Sequence, residues 1–273
     1  MPRRPRTNPR LARARHLAQV EAAVRRHAPE VWTATRRLHA KWLREALAAA
    51  RPLLDKLVIE ARLYELEVEW LAGELAWLGY EISPDELREQ PEVAWTLRRL
   101  AEQAPASAGF LTTDPRRDTL IRETVRILED DLSVYWRNLT DPETLARRLV
   151  NLKAEGVPYV EASRQVARQY GTEFYRAERL VRSSYNSASN NAHSAALEEA
   201  GFKRKQWLTS RDARVRRPQG QSPFDHVAAE GQKVPIDKPF IVSGEPLMYP
   251  GDRSRGASAG NIVNCRCTVI GVG

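Results

Sequence analysis

Residues that break regular structure crowd into the last quarter of this chain, and that placement constrains its fold more than any other feature. After Gly201 come Pro218, Gly220, Pro223, Gly231, Pro235, Pro239, Gly244, Pro246, Pro250, Gly251, Gly256 and Gly260, with short apolar runs between them at 206–208, 238–242, 246–249 and 267–272. Ahead of Gly201 the chain is rich in Ala, Leu, Arg and Glu, which lose little freedom in a helix. The pattern predicts a mainly α N-terminal part, as a helical bundle or extended helices, followed by a small α+β C-terminal domain with short strands and long loops.

The segments divide as follows. Residues 1–10 hold three prolines and four arginines with no apolar residue beyond Met1, the composition of a disordered basic arm. Residues 11–140 form a helical region. Within it Val20, Val24, Val31, Leu38 and Trp42 recur at helical spacing, and Pro29 marks the start of a second helix. Leu53–Tyr80 reads as helix although Leu66-Glu67-Val68-Glu69-Trp70 alternates like a strand. Ser83-Pro84, Asp114-Pro115 and Asp141-Pro142 each pair a capping residue with a proline suited to the first helical turn. Ala104–Thr113 reads as a loop. Residues 141–202 are a helical linker: a short helix Glu143–Ala154, another from Pro158 to Tyr170 stopping at Gly171, and a long one from Thr172 to Ala200 stopping at Gly201. Residues 203–273 are the small α+β domain.

Charge is polarised. Residues 1–51 carry 13 basic against three acidic side chains, residues 52–202 carry 18 against 26, and residues 203–273 carry 12 against six. Arg3, Arg4, Arg6, Arg10, Arg13 and Arg15 are therefore candidate contacts for nucleic acid or another acidic partner, since arginine's planar fork suits phosphate. No run approaches the length of a membrane helix, and the basic N-terminus lacks the apolar stretch of a secretory signal, so no membrane partner is expected.

The long helix before Gly201 bears two stripes. Ala177, Val181, Tyr185, Ala188 and Ala192 form one of small and apolar residues, suited to close packing. Arg179, Arg182, Asn186, Asn190 and His193 form the other. Asparagine is a weak helix former, so two in register with two arginines predict a hydrogen-bonded structural seam under the C-terminal domain, with Asp212 and Arg214 as further members.

Three segments follow in fixed order: Tyr175–Ala192, then Trp207–Arg216 with His226 and Gly231 behind it, then Tyr249-Pro250-Gly251-Asp252 and Asn264-Cys265-Arg266-Cys267. This order resembles the C-terminal region of the phage Mu F-like minor head proteins and covers roughly residues 150–273. Two departures stand out: Ser183-Ser184 where the family commonly has Thr-Glu, and an insertion at Arg217–Asp225. The resemblance implies a structural virion protein acting in head morphogenesis. Its expected partners are the portal protein, the major capsid protein and packaged double-stranded DNA. Its expected place is the capsid interior near the portal, after synthesis in the host cytoplasm. The N-terminal half would contact portal or capsid.

Cys265 and Cys267 are the whole thiol inventory and cannot staple a fold. Two residues apart on an extended segment, they share a side and with His226 and Asp212 or Asp225 would make a zinc site. Many relatives carry a further Cys-x-x-Cys, but this chain has Arg216, Arg217, Pro218 and Gln219 there. The expectation is therefore no cofactor, the cysteines packing as small buried hydrophobes in a core with Trp207, Phe224, Phe240 and Tyr249. His226 beside Asp225 suggests the competing reading, a nuclease- or toxin-like enzyme using the basic C-terminal domain. No phosphate loop or nucleophile motif accompanies the pair, so no catalytic residue is assigned and the chain is expected not to be an enzyme.

Overall fold

A computed structural model of the chain describes residues 8–57, 64–77, 84–139, 141–169, 174–218 and 222–273. The helices are α1 (Pro9–Leu54), α2 (Tyr64–Trp77), α3 (Pro84–Arg88), α4 (Pro91–Ser107), α5 (Pro115–Leu139), α6 (Pro142–Ala154), α7 (Tyr159–Gln169) and α8 (Phe174–Glu199). Strands β1 (Arg204–Leu208), β2 (Lys233–Pro235), β3 (Phe240–Val242) and β4 (Glu245–Leu247), a single turn α9 (Ala259–Ile262) and β5 (Thr268–Val272) complete the order. The chain is thus mainly helical, with its strands confined to the C-terminal region as the breaker pattern predicts.

Contacts divide the chain into two compact units. The first gathers the described parts of 1–29, 95–131 and 175–273, the second those of 30–94 and 132–174. Each unit is assembled from segments that are separate in sequence. Helix α1 alone has 46 residues, roughly 70 Å at 1.5 Å per residue.

In the second unit α2 packs on α6, burying Val68, Leu71 and Leu75 with Leu145, Leu149 and Val150. The strand-like alternation at 66–70 is helical. Leu66 and Trp70, one turn apart, share the exposed face while Val68 and Leu71 point inward. Asp141 caps α6, its carboxylate accepting from Glu143 N and Thr144 N, with Pro142 following as expected. Arg147 on α6 pairs with Glu65 on α2 at 2.9 Å.

Several boundaries differ from the sequence reading. Helix α1 already begins at Pro9, with Asn8 Oδ1 accepting from Arg10 N at 3.0 Å; the rest of the expected arm, residues 1–7, lies outside the described residues, as do Ser83 and Gly171. Pro29 starts no new helix. Helix α1 runs through it because the buried positions Val24, Ala28, Val31 and Thr35 continue the same stripe on both sides, and burial outweighs the proline penalty of about 3 kcal/mol. The loop expected from Ala104 starts later, since α4 carries Pro105 in its last turn and buries Ala101 and Ala104.

In the first unit α8 ends as predicted at Gly201 (φ 73°), with Gly201 N donating to Glu198 O and Phe202 N to Leu197 O. This double closure satisfies the last carbonyls of the helix. The chain then enters β1, the centre of an antiparallel sheet in the order β2-β1-β5, with Trp207 opposite Val269 and Gln206 opposite Lys233. Strand β2 escaped the sequence reading because one apolar residue, Val234, gives no alternation. Strands β3 and β4 form a hairpin whose two turn residues, Ser243 and Gly244, both have positive φ, the turn that matches strand twist. Trp207, Phe240, Val242, Leu247 and Val269 fill the core beside this sheet, together with Cys265 and Cys267. Of the other aromatics expected there, Phe224 and Tyr249 are only half-buried. No helix among the described residues is long and apolar enough to cross a membrane.

Candidate metal centre and its polar seam

The seam is built on α8. Its small stripe, Ala177, Val181, Tyr185, Ala188 and Ala192, is buried throughout, as predicted. The polar stripe splits. Arg182 Nη1 donates to Asn264 Oδ1 at 3.2 Å and its Nε lies 3.5 Å from Glu21 Oε1. Asn186 is fully buried and its Oδ1 is 2.7 Å from His16 Nε2. Asn190, also fully buried, donates through Nδ2 to Asn186 O at 2.9 Å and to Cys267 O at 3.0 Å. Arg179, by contrast, is exposed and lies over the Tyr175 ring, so it falls outside the seam. Arg214 is also exposed; only its backbone N–H reaches Asp212 Oδ1, at 2.9 Å. Asp212 instead binds the buried guanidinium of Arg266, which with the Arg214 amide holds its carboxyl below the ordinary range against the opposing effect of burial.

Between the asparagines and the C-terminal strands lie further bonds that sequence reasoning missed. Ser183 Oγ accepts from Asn264 N at 2.7 Å, Ser184 Oγ donates to the buried Asp131 at 2.6 Å, and Ser187 Oγ donates to Gly251 O at 2.8 Å. Gly251 has φ 89°, and a Cβ there would stand 3.1 Å from the Ser187 backbone, so a side chain at this position would be strained and would press the loop away from α8.

Of the arginines expected to meet nucleic acid, Arg3, Arg4 and Arg6 lie outside the described residues, and Arg10 and Arg15 are exposed on the first turns of α1. Arg13 is buried. Its Nε donates to Thr209 O at 2.9 Å and its fork pairs with Glu230, which also accepts from Thr209 N–H and from Arg211. Its charge is satisfied within the chain, 217 residues away in sequence.

Among the described residues, His226, Cys265 and Cys267 are the three metal-ligating side chains that converge, their donor atoms all within 4.8 Å of one another. His226 Nδ1 lies 3.6 Å from Cys265 Sγ and 3.5 Å from Cys267 Sγ. The chain reaches His226 by closing the expected insertion: His226 N and Val227 N both donate to Arg216 O. The cysteines sit between α9 and β5, where Asn264 takes a positive φ of 61° to turn the chain inward. Trp207 stands edge-on to the His226 ring at 5.8 Å. The Cys267 thiol favours the Cys265 thiolate, pulling it well below the ordinary thiol range although burial opposes this, whereas burial and the neighbouring sulfur push Cys267 well above it. The expected carboxylate partners are elsewhere: Asp212 is on Arg266, and Asp225 Oδ1 accepts from Ala228 N at 2.9 Å.

Behind His226 stands a residue that no sequence signal marked. Asn261 is fully buried, with Oδ1 3.2 Å from His226 Nε2 and Nδ2 donating to Val242 O at 3.1 Å and Glu245 Oε2 at 2.7 Å. Two acceptors fix the amide group of Asn261, leaving its oxygen to face the imidazole. His226 Nε2 therefore carries the proton, and Nδ1 presents a bare lone pair to the sulfurs.

A cavity of about 430 Å³ in the same unit is lined by Arg15, His16, Ser189 and His193 among others. Burial lowers His16, and burial with the facing His16 brings His193 down to about 4. An unfolded histidine binds its proton near pH 6.5, so between pH 6.5 and 4 unfolding takes up protons that the folded chain refuses. This contribution to stability is fully present above pH 6.5 and is lost as pH falls to 4, amounting to about 3 kcal/mol for His193. Denaturant midpoints measured from pH 7 to 4.5 should fall, and fall less in His193→Gln. An identical pH curve for the variant would refute the assignment.

No known protein family, curated protein or solved structure matches the chain.

Proposed function

We propose that this chain is a structural head protein of the phage Mu F-like kind, placed inside the capsid near the portal and acting in head morphogenesis. On this reading its helical N-terminal half meets the portal or major capsid protein. Exposed arginines such as Arg10 and Arg15 meet phosphates of packaged double-stranded DNA, contacts that need no sequence reading. The observation that carries the proposal is the fate of the ordered motif segments. Arg182 to Asn264, Asn190 to Cys267, Ser187 to Gly251 and Arg266 to Asp212 join all of them by internal bonds. The motif residues are spent on holding one scaffold together, as a structural protein requires and as an open catalytic cleft does not.

The nuclease reading draws no support from the same residues. His226 is 1 % exposed, its ring nitrogens face Asn261 and the two sulfurs, and among the described residues no carboxylate joins this cluster. Mass spectrometry of gradient-purified particles tests the proposal. The expected result is this chain at a few copies per particle. Its absence from particles, with DNA cleavage by the purified chain, would replace the structural reading by the enzymatic one.

A further inference from the structure

We infer that His226, Cys265 and Cys267 form a zinc site that staples the C-terminal strands, independently of any role in a phage head. Composition argues for a cysteine pair that merely packs, because a four-thiol set is absent. Three features of the structure argue otherwise.

The first is spacing. Zinc binds thiolate at about 2.3 Å and imidazole at about 2.0 Å, so a tetrahedral angle at the ion places sulfur and nitrogen about 3.5 Å apart. The two sulfurs here stand 3.6 and 3.5 Å from Nδ1. One nitrogen lone pair makes a well-aligned hydrogen bond with one thiol only, whereas an ion between the three atoms is met by both sulfurs and the nitrogen at these distances.

The second is the histidine's rear support. The Glu245–Asn261–His226 relay commits Nε2 to its proton and Nδ1 to its lone pair. Metal-binding histidines are oriented in this way, their second nitrogen tied to a fixed acceptor.

The third is the donor chemistry. Two sulfurs and one imidazole suit a borderline-soft ion, not the oxygen-seeking magnesium or calcium. The Cys267 amide, 3.4 Å from Cys265 Sγ, favours a thiolate there. On binding, the thiol protons pass to solvent and the two thiolates neutralise the dication. Since His226 and the cysteines lie 39 and 41 residues apart, the ion closes a long loop around the C-terminal core.

The test uses the full-length chain, purified under reductant without chelator. Elemental analysis is expected to find about one zinc per chain, and cobalt substitution to give sulfur-to-metal charge-transfer absorption. Cys267→Ser should lose the ion. Asn261→Ala, which removes no donor atom, should weaken zinc about tenfold or more in competition with a chromophoric chelator. Should Cys267→Ser fail to fold, the wild-type chain still decides. Less than about 0.1 zinc per chain after equilibration with micromolar zinc, both thiols staying freely titratable, would overturn the site. Full zinc retention by a folded Cys267→Ser would do the same.

Discussion

Replacing Asp131 with alanine should destabilise the first compact unit by about 3 kcal/mol, the low end of what breaking a buried ion pair costs. Asp131 is 4 % exposed. One oxygen accepts the Ser184 hydroxyl at 2.6 Å and the other meets the guanidinium of Arg253. Burial already works against the charge on Arg253, which lies at a lowered proton affinity. Removing the carboxylate leaves that charge without its nearest partner and strips Ser184 of its acceptor. The estimate stays at the low end because the Arg253 side chain keeps 30 % of its surface in solvent. Asp131→Asn is the informative control. It keeps shape and one acceptor oxygen, so a loss close to that of alanine assigns the effect to charge. Denaturant unfolding checks both, and a change within about 0.5 kcal/mol, the range of ordinary surface substitutions, would remove Asp131 from the scaffold.

How far the sequence revealed this arrangement depends on the range over which each residue acts. The apolar stripe of α8 and the stop at Gly201 were legible because periodicity and capping are local: Ala177 to Ala192 repeat every three or four residues, and a left-handed glycine ends the helix. The split of the polar stripe was not legible. Arg179 and Arg182 have the same spacing signal, yet one lies over Tyr175 in solvent and the other reaches Asn264, 82 residues away. Arg13 read as a free cation for the same reason, since nothing near it in sequence announces Glu230.

The candidate metal centre was half legible. Cys265, Cys267 and His226 could be named by donor type, but the carboxylates named with them are engaged by Arg266 and by the Ala228 amide. Asn261 carried no signal at all, being a lone amide in a four-residue turn among small residues. Pro29 misled in the other direction. A proline is a strong local stop, but the buried stripe of α1 continues on both sides of it, and the tertiary gain wins.

That the motif residues act as an internal scaffold is tested most directly by the unfolding free energy of Arg182→Ala. Arg182 joins α1, α8 and the turn before β5 through Glu21 and Asn264, with 12 % of its side chain exposed. Truncation takes the Arg182 cation away from the partly buried Glu21 carboxylate and the donor away from the exposed Asn264 oxygen, so the cost falls at the low end of the roughly 1–3 kcal/mol typical of an abandoned buried group. The expected result is a loss of about 1–2 kcal/mol in equilibrium unfolding, with new proteolytic cleavage near Gly201 as the strands loosen from α8. A variant as stable as the parent, equally resistant to protease and defective only in binding DNA or portal, would contradict the scaffold and make Arg182 a contact residue.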